Sequence, residues 1–524
     1  MNTIGSINLT NINYYFLFGC LFLIYLVYRI FYSLFDNNFI RTKYRVCTHA
    51  WRSIECNKSI PYNIHCTVCG KLMLPVMGFF CECCAVSACK KCHSILDKNV
   101  RCKQITWPSG KPFYHLWVNV GTATRANVHS EDGENLYKYF CSWCQRIQLT
   151  QDNLINYTEE CDFLKYREII IPPSSVLVER GKIISIKPPH VNNWEPLLIL
   201  VNRKAGSSRG DEILSIFRGL LNPLQVIDIS SNGPERIVKW LPEKCRVLVA
   251  GGDGTVAWVL NALHSAPHVK ASVGILPMGT GNDLSRALGW GAGSSSLDAH
   301  SIIHSIKHAE LQILDRWRVT IKPKRRRLGR LRTRVLHAYN YASVGVDAQV
   351  ALDFDRARNQ FLYRYASRYL NYMAYALLGV GRALDDGGCG GLEQRLRVTV
   401  GVGNNVDGGE TLPLPPLQAL VVLNIPSWGA GVDLWSLGSE DDVGEQHMDD
   451  GKLEVVGISS SFHIARLQCG LAEPYRFAQG TRVKIELDGC CAMQVDGEPW
   501  MQDSATILVE PAGQSTMLRP IQKN

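Results

Sequence analysis

The amino-acid sequence predicts a multidomain chain: an N-terminal membrane helix, two small zinc domains, an α/β nucleotide-binding domain and a β-sandwich-like accessory domain. Three observations predict it. Residues 14–35 form one apolar run, thirteen of the nineteen cysteines fall between Cys47 and Cys161, and two strand–glycine loop–helix units precede a long series of alternating strands. The expected divisions are 1–45 for the hydrophobic membrane segment, 46–105 and 106–170 for the zinc domains, 190–315 for the α/β domain and 316–524 for the accessory domain. A length of 524 residues exceeds what one core organises. Apolar content of 46% and charged content of 20% exclude a disordered chain, and the net charge of +9 favours acidic partners such as anionic lipid head groups or nucleotides.

The run YYFLFGCLFLIYLVYRIFYSLF at residues 14–35 has about the length a bilayer-spanning helix needs, roughly 20 residues. Arg29 sits near one end, where it can snorkel. No Lys or Arg precedes the run, whereas Arg41, Lys43, Arg45 and Arg52 follow it, which places the bulk of the protein in the cytosol. The absence of a basic leader and of a small-residue cleavage site argues against a signal peptide. A spanning helix and one that re-emerges on the same side are both compatible with this pattern.

The cysteines come in metal-ligand spacing. Cys66 and Cys69 form one CxxC and Cys81 and Cys84 a second. With His49, Cys89, Cys92 and Cys102 they supply ligands for two closed tetrahedral zinc sites. A small, loop-rich unit needs such staples. This order resembles the diacylglycerol/phorbol-ester-type zinc domain. The resemblance implies cross-braced ligation, with one zinc on His49, Cys81, Cys84 and Cys102 and another on Cys66, Cys69, Cys89 and Cys92. Cys89 stands where that family has His, and Cys83 is left outside the sets. A second copy supplies His115, Cys141, Cys144 and Cys161. Its first CxxC and its late ligands are missing, so it is a degenerate domain with one zinc at most. Metal ligands do not report whether either copy captures lipid.

Beyond residue 190 the pattern changes. Residues 197–201 (LLILV) read as a buried parallel strand ending in Asn202. Residues 246–250 (RVLVA) read as another, running into Gly251, Gly252, Asp253, Gly254 and Thr255 and then into a helical stretch. Strand, glycine loop and helix together present backbone N–H groups to phosphate, and glycine admits close backbone approach. Asp253 adds a carboxylate for magnesium or for proton removal, and Thr255 a hydroxyl. A second unit follows: residues 273–277 (VGILP), then Gly279, Thr280, Gly281, Asn282 and Asp283, then a helix. Two such loops at adjacent strand ends line one crevice of an open α/β sheet. Neither a Walker A motif nor a dinucleotide fingerprint is present.

The pair of loops resembles the diacylglycerol kinase catalytic domain, in a superfamily that also holds sphingosine, ceramide and NAD kinases. The likeness runs from about residue 196 to about residue 519. It implies ATP and Mg2+ as cofactors beside structural Zn2+. It also implies phosphorylation of 1,2-diacylglycerol to phosphatidic acid at a membrane, which attenuates diacylglycerol signalling and feeds phosphatidylinositol turnover. ATP phosphates would lie on the two loops, with Asn202 nearby.

The second half alternates strands with turn glycines, as a β-sandwich does. Asp496-Gly497-Glu498 places two carboxylates around a glycine at a strand end. The resemblance puts such acids beside the reacting hydroxyl, with Asp496 as general base and Glu498 assisting through metal or water. A plain hairpin turn is the alternative. Those roles and that of Asp253 are interchangeable at this level. Asp449-Asp450-Gly451 is a second acidic turn, which the resemblance links to magnesium, and Asp347 also matches the family. The basic run at 322–334 is a solvated loop or an anionic-membrane contact, and it lacks the aromatic interleaving that nucleic acid binding needs. Residues 361–379 form an apolar-aromatic helix. Leu362, Arg368 and Gly379 can be set on a pattern linked to polyunsaturated acyl preference, and the order of segments resembles the epsilon type of the family. An endoplasmic-reticulum or plasma-membrane location follows from that resemblance, and a sphingoid kinase or a catalytically silent lipid scaffold are the competing functions. Oligomeric state is not legible.

Overall fold

The computed structural model describes residues 49–53, 66–71, 73, 78–123, 136–150, 157–205, 209–293, 297–324, 332–359, 389–401, 403, 408–438 and 444–521. The apolar runs at 14–35 and 361–379, and residues 325–331 of the basic run, lie outside them. Among the described residues no helix is long and apolar enough to cross a membrane.

Two small antiparallel sheets come first. Strands β1 (Trp51–Ser53), β2 (Gly78–Cys81) and β3 (Ser87–Cys89) form one, followed by the helix His93–Asn99. Strands β4 (Trp117–Ala123), β5 (Leu136–Cys141) and β6 (Ile147–Thr150) form the other. Each carries a CxxC turn built alike. Ala85 at φ 61° and Gln145 at φ 62° occupy the left-handed region just after the second cysteine. In both turns the amide after the first cysteine bonds back to the residue after the histidine, Glu82 N to Ala50 O and Ser142 N to Leu116 O, each at 2.9 Å. The second unit is therefore a true structural repeat of half of the first. A hairpin, β7 (Val176–Glu179) and β8 (Lys182–Ile186), leads onward.

Strands β9 (Leu197–Val201), β10 (Val226–Asp228), β11 (Lys244–Gly251) and β12 (Lys270–Pro277) run parallel in the order β10-β9-β11-β12. All five residues of β9 are buried, as the unbroken apolar run predicts, each such side chain contributing about 1.5–3 kcal/mol. The helix Gly210–Leu220 buries Ile213, Leu214, Phe217 and Leu220, one stripe of a 3.6-residue period. The helices Asp253–His264, Asp283–Ala287 and Ala299–His308 complete the layers.

Among the described residues the accessory half has twelve strands: β13 (Glu310–Pro323), β14 (Arg334–Ala338), β15 (Tyr341–Gly345), β16 (Leu396–Gly401), β17 (Glu410–Thr411), β18 (Ala419–Leu423), β19 (Leu453–Ile458), β20 (Tyr475–Gly480), β21 (Arg482–Leu487), β22 (Cys491–Val495), β23 (Glu498–Gln502) and β24 (Ala505–Arg519). Six of them form the sheet β20-β19-β18-β15-β22-β23. The others extend the parallel sheet, because β24 pairs with β12 at Val273 and Met517. The two sheets enclose one core that includes Val319, Val398, Val483 and Ile507 from one side and Val344, Val421, Val455 and Met493 from the other. This is the expected sandwich, with one difference. One of its layers is continuous with the nucleotide-type domain, and β13 passes through residues 315 and 316 without a break.

Asn424 fastens this junction. Its Nδ2 donates to the carbonyls of Asp315 at 3.0 Å and Tyr339 at 2.6 Å, and Trp317 Nε1 donates to its Oδ1 at 2.7 Å. All of these groups are buried, so Asn424→Leu strands three polar partners. The expected loss is about 3 kcal/mol or more, at about 1–3 kcal/mol for each unsatisfied group, read as a fall in the thermal or urea unfolding midpoint.

Candidate active site

The two glycine loops touch. A Cβ on Gly279 would lie 2.8 Å from the Cα of Gly252, and one on Gly252 would lie 3.1 Å from the Cα of Gly279. A Cβ on Gly251 would strike the Thr255 side chain at 2.5 Å. Glycine at these positions is thus a steric requirement of bringing the loops together. At the start of the helix Asp253–His264, Thr255 N and Val256 N donate to Gly252 O at 2.9 and 3.1 Å, so the amides of Asp253 and Gly254 are the ones without an intrahelical partner.

Asp253 stitches the loops. Its carboxylate accepts from the amides of Asp283 at 3.1 Å and Leu284 at 3.0 Å, and from Asn340 Nδ2 at 3.1 Å. Asn202 Nδ2 donates to Thr255 Oγ1 at 3.0 Å, which fixes the floor of the first loop. Asn282 adopts φ 53° and clips the second loop: its Oδ1 accepts from Gly279 N at 2.9 Å, and its Nδ2 donates to Gly279 O at 2.8 Å and Ala292 O at 2.9 Å. It is buried, so its side chain shapes the loop from beneath.

Asp283 reaches from the loop to the accessory half. Its Oδ1 accepts from Ser427 Oγ at 2.7 Å, Ala430 N at 3.0 Å and Gly431 N at 3.1 Å, and Tyr341 OH donates to Oδ2 at 3.4 Å. All four donors belong to the accessory half. The carboxylate expected among the phosphate-loop groups therefore joins the two halves. Burial, reinforced by the neighbouring Asp253 charge, raises its pKa to about 6.

The Asp-Gly-Glu motif is a two-residue hairpin loop between β22 and β23, with Val495 opposite Glu498. Asp496 at φ 48° and Gly497 at φ 82° both lie in the left-handed region, the type I′ pattern that Asp-Gly favours. The turn separates the two acids. Asp496 points inward and is buried; its Oδ1 accepts from the amides of Asn340 at 2.8 Å and Tyr341 at 3.1 Å, and its Oδ2 accepts from Tyr339 N at 2.8 Å. A carboxylate offers about four acceptor sites, so these bonds leave one on Oδ2. Burial lifts its pKa to about 7 despite these donors. Glu498 is exposed, and its Oε1 would lie 3.2 Å from a Cβ on Gly254. The hairpin thus carries one carboxylate to the mouth of the first glycine loop and holds the other beneath it.

The remaining acids lie apart. Gly451 N donates to Asp315 Oδ2 at 2.7 Å, and Gln312 Nε2 donates to Asp449 Oδ2 at 3.1 Å, so the 449–451 turn sits against β13. Asp347 is fully buried and accepts from Ser343 Oγ and Gln494 Nε2, and burial pushes its carboxyl above the usual range.

The cysteine sets converge. The ligand atoms of His49, Cys81, Cys84 and Cys102 lie within 4.8 Å of one another, as do those of Cys66, Cys69, Cys89 and Cys92, and those of His115, Cys141, Cys144 and Cys161. Soft sulfur and imidazole donors in closed sets of four suit zinc, so all three could hold it. Cys83 stays outside them.

Sequence reasoning missed Asn340, which bridges Asp253 and Asp496, and Ser427, which anchors Asp283. Asn340 lies in no glycine-rich motif, and Ser427 opens the 427–431 segment Ser-Trp-Gly-Ala-Gly. A polar residue immediately before the fully buried strand β15 is the only local sign of the first.

A family model described as the diacylglycerol kinase catalytic domain matches residues 196–314, and one described as the diacylglycerol kinase accessory domain matches residues 337–499. Diacylglycerol kinase theta of Homo sapiens is 38% identical over 332 residues, covering 61% of this chain and 34% of that protein. Diacylglycerol kinase 1 of Arabidopsis thaliana is 38% identical over 337 residues, covering 62% and 44%. Probable diacylglycerol kinase 3 of Caenorhabditis elegans is 29% identical over 530 residues, covering 90% and 64%. The matched part is thus between about a third and about two thirds of these relatives' own lengths.

Two outcomes follow from the geometry. Gly279→Ala must push Gly252 away, so the variant should remain folded yet bind MgATP at least about ten-fold more weakly by calorimetry, a loss of about 1.4 kcal/mol. The second concerns pH. Asp496 has a folded pKa of about 7 against 3.8 for an unperturbed carboxyl. Its protonation therefore contributes stability that is complete below about 4 and is lost as pH rises through about 7. The difference in Tm between wild type and Asp496→Asn should move in favour of wild type as pH falls from neutral towards that lower limit.

Proposed function

We propose that this chain, which belongs to the diacylglycerol kinase family by its catalytic and accessory domains, transfers the γ-phosphoryl group of MgATP to the free hydroxyl of a diacylglycerol and releases phosphatidic acid. The observation that carries this reading is the contact between the two glycine loops, bridged by Asp253 and faced by the Asp496–Glu498 hairpin. Backbone N–H groups at that junction bind phosphate oxygens, and the hairpin presents Glu498 at the loop mouth, with Asp496 held beneath it, on the side where an acceptor hydroxyl must come.

Phosphoryl transfer needs positioning and charge neutralisation more than covalent help. Asp253 and Glu498 are carboxylates at the first loop, and they would hold Mg2+, which would neutralise phosphate charge. Asp496 has one acceptor site left and a pKa of about 7, which suits a group that takes the hydroxyl proton near neutral pH. As the new O–P bond forms, the bond to the β-phosphate oxygen breaks and ADP leaves. Asn340 keeps Asp253 and Asp496 in register by bonding to both.

The three Cys/His sets are structural zinc sites in this reading, two in the first module and one in the degenerate second. The epsilon type rests on the order of segments alone, since the human relative described above is a theta type. Membrane attachment rests on the apolar run at 14–35, and contact with an anionic surface on the basic run at 322–334.

Activity tests are direct. Asp253→Ala should abolish phosphatidate formation from radiolabelled ATP in mixed micelles while the circular dichroism spectrum is unchanged; normal turnover would sink the assignment. Wild-type kcat should fall as pH drops through about 7, and Asp496→Asn should lose at least about a hundred-fold in kcat, the scale of general-base removal. Offered diacylglycerol, ceramide and sphingosine together, the enzyme should label diacylglycerol first.

A further inference from the structure

We propose that the first zinc module is a brace for the nucleotide loops, acting through Lys103 and Glu82 on the helix Gly210–Leu220; this rests on the nucleotide reading given above. Both residues sit inside the metal-ligand sequence. Lys103 follows Cys102, and Glu82 lies between Cys81 and Cys84.

Lys103 is 1% exposed. Its Nζ donates to the carbonyls of Arg218 at 3.0 Å, Gly219 at 2.7 Å and Leu221 at 3.1 Å. All three ammonium protons are thereby used on the C-terminal end of the helix, the pole that attracts cations. The ammonium also lies 5.1 Å from the centre of the Trp143 ring, contributed by the second module. Glu82 is 4% exposed and accepts from Arg218 Nη1 at 3.2 Å and pairs with Arg52 Nε at 2.6 Å. Ser142 Oγ donates to Cys84 O at 2.9 Å, which holds the two modules together.

The contacts continue to the glycine loop. Arg52 reaches Asp211, in the first turn of the same helix, at 3.6 Å. Asp211 pairs with Arg203 Nε at 2.6 Å. Arg203 adjoins Asn202, which holds Thr255. Gly210 is what lets the helix start so close, since a Cβ there would lie 2.9 Å from the Arg203 Cα. The helix is gripped at both ends by the zinc module, and its first turn sets the residue beside the loop floor. A module that swung toward lipid would break the contacts of Lys103, Glu82 and Arg218 together. Coupling therefore runs from the module to the nucleotide side of the reaction.

The test uses the full chain in detergent micelles, with Lys103→Met and Arg52→Gln as separate variants. A fluorescent ATP analogue is titrated without lipid, and KM is measured separately for MgATP and for diacylglycerol mole fraction. Lys103→Met should weaken analogue binding and raise KM for MgATP about ten-fold, within the usual range of coupling between sites, with zinc content and KM for diacylglycerol unchanged. Arg52→Gln, whose side chain is 18% exposed, should shift both nucleotide measures in the same direction by less, and it carries the test if Lys103→Met does not fold. Unchanged nucleotide affinity in the folded variants, or an effect confined to KM for diacylglycerol, overturns the brace. A wild-type chain that forms no phosphatidate overturns the kinase reading instead, and the lipid-free titration still decides the brace.

Discussion

A carboxylate taken out of water must be surrounded by donors, and that requirement organises the centre of this molecule. Asp283 and Asp496 are buried and Asp253 is half-buried, and each draws its donors from a different part of the chain. Asp253 in the first loop is held by amides of the second loop and by Asn340. Asp283 in the second loop is held by residues 341, 427, 430 and 431. Asp496 in the hairpin is held by the amides of residues 339–341. Each acid therefore closes a contact that no local structure would close, and the cleft exists because the bonds are mutual. The proximity of three negative charges opposes this arrangement, which is why neighbouring Asp253 raises the pKa of both Asp283 and Asp496.

The same coupling appears in the sheets. Strands β13 and β24 pair along nearly their whole length and belong to both halves of the catalytic unit. A bulge between Asp315 and Trp317 interrupts their register where Asn424 meets the backbone. A bulge increases local twist, so the shared sheet can turn from the parallel domain into the sandwich without a linker. Relative motion of the two halves must then bend a continuous sheet.

The two cysteine-rich modules join this body in different ways. The second shares a core with the helices of the α/β domain, where Trp143, Cys144 and Phe163 cluster with Leu214, Phe217 and Ile303. The first contributes charges instead of apolar bulk, and its CxxC turn is where Glu82 is presented. Small units with few apolar residues hold their shape through metal ligation, and this leaves their side chains available for such contacts.

Much of this was legible in the sequence. Apolar runs gave β9, β11 and β12, because a parallel buried strand is apolar on both faces, and the glycines after β11 and β12 gave the two loops, because close backbone approach tolerates no Cβ. Cysteine spacing gave the CxxC pairs, since two ligands of a tight turn lie three residues apart, and the resemblance to the zinc-domain family gave their grouping into the sets that converge. The hairpin at Asp496-Gly497 follows from the left-handed conformation that Asp and Gly accept. The tertiary structure alone decided what each acid does. Spacing cannot say that Asp283 faces the accessory half, that Glu498 and not Asp496 reaches the loop mouth, or that Asn340 joins two carboxylates, because their partners lie at least 58 residues away. Lys103 is the clearest case. In sequence it is one lysine beside a zinc ligand, and its role comes entirely from a helix end more than a hundred residues further along the chain.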